Sequence, residues 1–121
     1  MIKLKLNKEK LDILHQFSDY ASVHIVSETQ KFIGRKKTIE LLQLYVQLEE
    51  MEIFKKKLEI LQIKKRWIQQ KNKLFSLTLS PIQSLLILIY ADTFMKHTKS
   101  PFSIFVLNEQ KDIIYKELLT K

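Results

Sequence analysis

The side chains best suited to metal binding or proton transfer in this sequence are three histidines, His15, His24 and His97. A metal site or acid–base site needs several such groups converging on one point. His15 and His24 stand nine residues apart, which places them on roughly opposite sides of a helix, so one helix cannot aim both at the same ion. Their i,i+4 neighbours, Asp19 and Glu28, are expected to make surface hydrogen bonds with them. No HExxH, ExxH or CxxC spacing occurs, and the complete absence of cysteine removes thiolate nucleophiles, disulfides and cysteine-based metal sites. Gly34 is the only glycine. Phosphate-cradling loops of the GxGxxG or GxxxxGK type need more than one, which nearly excludes the common nucleotide folds.

Acidic chemistry is equally thin. Glu49, Glu50 and Glu52 adjoin in sequence but spread around a helix, and solvation accounts for them. Asp92 is expected to lie partly buried beside an apolar face, satisfied by Lys96 one turn on. The sequence therefore assigns no catalytic residue, no cofactor and no metal ligand, and the chain is expected not to be an enzyme.

Positive charge is the stronger signal. Of a net charge of +8, the stretch 55–73 holds eight basic residues against the single acid Glu59, while the rest of the chain is nearly balanced. Lys57, Lys64 and Lys71 recur every seven residues and would form a row about 10 Å apart on a helix. Lys55, Arg66 and Lys73 fall on the other side. Such a surface could meet a phosphate backbone, with strongly salt-dependent affinity, or an acidic protein or anionic membrane. It also serves simply to keep a long helix soluble, and Arg66 is the only arginine in the stretch although arginine is favoured for base reading. A smaller basic cluster, Lys31, Arg35, Lys36 and Lys37, surrounds Gly34.

The elements that carry these residues follow from hydrophobic spacing. With 45% hydrophobic residues the chain can build a core, and one glycine and two prolines argue for a few long elements joined by few loops. Ile2, Leu4 and Leu6 alternate with Lys3 and Lys5, the pattern of a strand covered on one face. Phe75, Leu77 and Leu79 repeat it, and the two strands are expected to pair as a ribbon packed on helices. Asn7 can cap a first helix whose apolar stripe is Leu11, Leu14, Phe17 or Ser18, Ala21 and Ile25, reaching about Val26. Ser27 and Gln30 resemble a capping box for a further short helical turn.

From about Thr38 to Lys71 no glycine or proline interrupts a helix-compatible run. Its apolar residues fall into two stripes: Met51, Phe54, Leu58, Leu61 and Ile68 in one, and Ile60, Ile63 and Trp67, preceded by Leu42 and Tyr45, in the other. A helix at the edge of a domain needs one stripe. Two require cover on both flanks, by two neighbours in the same chain or by its own core and another molecule. Trp67 reads as a core or interface anchor.

Ser80-Pro81 and Lys99-Ser100-Pro101 are helix starts. The helix after Pro81 is expected to face the core with Ile82, Leu85, Leu86, Ile89 and Thr93, and to be central. Phe102 to Leu107 is expected to open a terminal helix, with a third strand as the alternative because Ile104-Phe105-Val106 is rich in strand formers.

The expected architecture is a mostly α single domain over residues 1–121: a helical bundle with one long central helix and a small two-stranded β ribbon. The first residues alternate charge with hydrophobe, unlike a signal peptide, and the longest apolar run is too short for a membrane span, so no transmembrane insertion and a cytoplasmic location are expected. The expected function is protein interaction, with self-association through the long helix at Met51, Phe54, Leu58, Ile60, Ile63 and Trp67. The alternative is non-specific DNA or RNA binding through the basic surface of residues 55–73.

Overall fold

The structure of the protein, a computed structural model, describes residues 2–33, 38–67 and 74–119, and of residues 64–67 the backbone alone. Its elements run β1 (Ile2–Leu6), α1 (Lys8–Ile33), α2 (Thr38–Trp67), β2 (Phe75–Leu79), α3 (Pro81–His97) and α4 (Pro101–Leu119). The protein is mostly α with a minor β ribbon.

β1 and β2 pair antiparallel, Ile2 opposite Leu79, Leu4 opposite Leu77 and Leu6 opposite Phe75, and all six of these side chains are buried. On the other face Lys5 Nζ donates to Ser76 Oγ at 2.9 Å across the ribbon. Alternation thus sets both register and facing, because slipping by one residue would turn the apolar set outward.

α1 and α2 form the most extensive helix pair. Contacts between Asp12 and Gln62, His15 and Glu59, and Asp19 and Lys55 advance along one helix as they retreat along the other, so the pair is an antiparallel hairpin. Asn7 Oδ1 accepts from the Lys10 amide at 2.9 Å and caps α1 as its type predicts. The stripe Leu11, Leu14, Phe17, Ser18, Ala21 and Ile25 is fully buried.

α1 does not stop near Val26. It continues to Ile33, and the Ser27–Gln30 signal opens no second helix. Within that continuation Thr29 is buried and donates its hydroxyl to the Ile25 carbonyl at 2.9 Å, one way a capping-type residue is accommodated inside a helix.

α3 is also turned relative to expectation. Gln83, Ser84, Leu86, Ile87, Tyr90, Ala91 and Phe94 are buried, whereas Ile82, Leu85 and Ile89 are exposed. Of the predicted face only Leu86 is buried. A helix apolar nearly all round gives no angular signal, and its facing is decided by local chemistry: Ser80 and Gln83 close a reciprocal capping box that holds Gln83 inward. Residues 102–107 lie in α4, where Ser100 Oγ accepts from the Ser103 amide at 3.3 Å. Val106, Leu107 and Ile114 face the core, while Phe102 and Phe105 face outward. The core is closed by Phe17 and Phe94, edge to face at 5.7 Å. Among the described residues no helix is long and apolar enough to cross a membrane.

Candidate interaction face

α2 is where the two predicted stripes are tested. Met51, Phe54 and Leu58 are buried against α1, α3 and β2, and Leu61 is half-buried on the same side. These residues are core, not open surface. The second stripe lies on the opposite side of α2 and faces out of the chain. Leu42 is 64% exposed, Tyr45 53%, Ile60 55% and Ile63 55%. Among the described residues, no second neighbour covers this stripe. The Trp67 side chain and Ile68 lie outside what is described.

The open face is longer and more regular than the sequence reading recognised. Ile39, Val46, Ile53 and Ile60 recur every seven residues, all of them exposed. Leu42, Glu49, Lys56 and Ile63 form a second seven-residue series offset by three, so the face advances by alternating steps of three and four. That is the spacing of a heptad seam. Ile39, Val46 and Ile53 belong to neither stripe predicted from the sequence, since the basic half of the helix carries the stronger charge signal while the repeat begins in the first turn. A shallow groove on the seam is lined by Tyr45, Leu48, Glu49, Glu52, Ile53 and Lys56.

Comparison with family models, curated proteins and solved structures finds no match to this chain. The site is read from its own chemistry.

The basic surface is more committed to the fold than its sequence suggests. Lys57 Nζ donates to the Thr78 carbonyl at 3.0 Å and to Gln83 Oε1 at 2.9 Å, which takes it out of a free cationic row. Lys55 Nζ pairs with Asp19 at 2.6 Å, and this hydrogen-bonded carboxylate holds the Lys55 ammonium above its ordinary pKa despite some desolvation. Lys56 is exposed. The side chains of Lys64 and Arg66, together with Lys71 and Lys73, lie outside the described residues, as do Gly34, Arg35, Lys36 and Lys37. Lys31 pairs with Glu28 at 3.1 Å.

The histidines are dispersed among different contacts. His15 lies 3.6 Å from both Asp19 and Glu59, bridging α1 and α2. His24 and His97 belong to an aromatic cluster: Tyr20 stacks on His97 at 4.7 Å and on His24 at 6.2 Å, and Tyr90 meets His24 edge-on. A shallow depression of about 600 Å³ beside that cluster is lined by Gln16, Asp19, Tyr20, Val23, Phe94, His97 and Thr98. Among the described residues no group of three or more His, Cys, Asp or Glu could hold a metal ion. Asp92 is exposed and pairs with Lys111 of α4 at 2.6 Å, not with Lys96.

Proposed function

We propose that this chain is a non-enzymatic helical interaction protein that self-associates through the outer face of α2. One observation carries the reading. Six aliphatic side chains at heptad spacing, Ile39, Leu42, Val46, Ile53, Ile60 and Ile63, are each more than 40% exposed on a helix whose other side is already buried. Water against such a row is costly, and exposed aliphatic side chains aligned along one helix face support an interaction site there.

The test is sedimentation equilibrium over a range of concentrations on the native sequence and on Ile60→Asp. The native chain is expected to be larger than a monomer and Ile60→Asp to be monomeric with unchanged helix content, since Ile60 is outside the core. A native chain that stays monomeric throughout contradicts the reading.

A further inference from the structure

We infer that two copies of α2 pair antiparallel, so that Glu49 on the outer face of each lies beside Lys56 of the other. This inference rests on self-association through that face and adds the orientation.

The charge along α2 is polarised. Residues 38–54 contain Glu40, Glu49, Glu50 and Glu52 and no basic residue, whereas residues 55–67 contain Lys55, Lys56, Lys57, Lys64, Lys65 and Arg66 against Glu59. The helix dipole favours acids at the start and bases at the end of a helix, but only within the first and last turns. Glu49, Glu52 and Lys56 stand in the middle of a 30-residue helix, so the dipole does not account for the reversal there. Nor are all these charges absorbed by the fold. Glu50, Lys55, Lys57 and Glu59 contact Gln83, Asp19, Thr78 with Gln83, and His15 respectively. Glu49, Glu52 and Lys56 are exposed around Ile53 on the seam itself.

Two charged residues inside an otherwise aliphatic seam decide the direction of pairing. In a parallel pair Glu49 would oppose Glu49 and Lys56 would oppose Lys56, two like-charge contacts in a partly dried interface, which is strongly unfavourable. In an antiparallel pair with its two-fold axis near residues 51–53, Glu49 of each copy comes beside Lys56 of the other, and both pairs flank the axis. The same operation lays Leu42 over the Ile60–Ile63 stretch of the second copy. A polar pair in a seam costs stability and fixes register, which is the role assigned to Glu49 and Lys56.

The absence of native cysteine makes the test clean. Leu42→Cys, Ile60→Cys and Ile63→Cys are prepared singly and oxidised in a glutathione buffer, alone and in mixtures, with the mass of the native chain measured in parallel. The antiparallel pair predicts that Leu42→Cys couples to Ile60→Cys or Ile63→Cys and that none couples to itself. Like positions would lie about 30 Å apart along the axis for Leu42 and Ile63 and about 22 Å apart for Ile60 at ~1.5 Å per residue, far beyond disulfide reach. A dimeric native chain whose variants each self-couple overturns the antiparallel orientation and leaves self-association standing. A dimer in which no mixture couples places the interface on another face, such as Ile82, Leu85 and Ile89 of α3. A monomeric native chain overturns both.

Discussion

Lys57 Nζ lies 2.9 Å from Gln83 Oε1, and this contact joins the middle of α2 to the first turn of α3. Gln83 is only 2% exposed, and its Oε1 also accepts from the Ser80 amide at 3.1 Å while its Nε2 reaches Glu50 at 3.4 Å. One side chain thus ends a helix cap and receives a charge from a neighbouring helix. Lys57→Met keeps the aliphatic stem and removes two charge-assisted bonds. The expected loss is about 1–3 kcal/mol by urea unfolding, with the associated state unchanged because Lys57 is turned away from the outer seam. An unaltered midpoint would show that Lys57 is held by the fold without contributing to it.

Ser80 supplies the other half of that box, its Oγ accepting from the Gln83 amide at 3.1 Å. Ser80→Ala is expected to cost about 1 kcal/mol, and the conservative Ser80→Thr or Ser80→Asp to restore most of it. Thermal unfolding of the three variants side by side checks this.

How much of this was legible depended on whether a local rule had one winner. Period-two alternation in Ile2–Leu6 and Phe75–Leu79 admits one facing, so the ribbon and its buried side followed. The stripe of α1 was equally clear because its polar face is well populated. α3 was not, since Ile82, Leu85, Leu86, Ile87, Leu88 and Ile89 offer apolar surface in every direction. Its rotation was set by Gln83, whose partners on α2 lie 26 and 33 residues away in sequence. For the same reason Lys57 read as part of a cationic row: spacing places a Cα on a face, but a four-carbon stem carries the ammonium to whatever acceptor lies within reach. The two stripes of α2 were visible from periodicity. That the described residues cover only one of them needed the third dimension.

Leu58 and Ile60 are two residues apart on opposite faces of α2, 0% and 55% exposed. Leu58→Ala is expected to destabilise the folded chain by about 2–5 kcal/mol through loss of burial and the cavity left behind. Ile60→Ala should act on association. Its unfolding midpoint is expected to approach that of the dilute native chain, because a self-associating protein gains stability with concentration. Denaturation of both variants at two protein concentrations separates the effects.

Lys111 beside Asp92 holds that carboxyl below its ordinary value of 3.8, first through the hydrogen bond and then through its charge. A depressed carboxyl stabilises the fold above its unfolded pKa and loses that contribution as pH falls through the folded one. Lys111→Met is therefore expected to lower the melting temperature slightly on the neutral plateau, by the small amount that befits an exposed pair, and to converge on the native profile as pH falls below about 4, so that its acid limb is shallower. An acid limb identical to that of the native chain would exclude the pair from acid unfolding.

Tyr90 behaves in the opposite sense. Burial, and then the negative charge of Glu28, push its phenol above 10.0. Its hydroxyl donates to Gln47 Oε1 on α2 at 2.5 Å. A raised pKa favours the fold fully below the unfolded value and withdraws that stability as pH climbs through the folded one. Tyrosinate absorbance should show a late-titrating fraction, coincident with alkaline loss of helix, that disappears in Tyr90→Phe.

Whether a second copy covers the outer face of α2 is decided by isotope-filtered NMR. Chains carrying labelled leucine and isoleucine methyls are mixed with unlabelled chains, so that only contacts between copies are observed. Intermolecular cross-peaks joining Leu42 methyls to Ile60 or Ile63 methyls are expected. A spectrum with no intermolecular peaks from Ile39, Leu42, Val46, Ile53, Ile60 or Ile63, at concentrations where the native chain is larger than the 14.5 kDa of one copy, would contradict such cover.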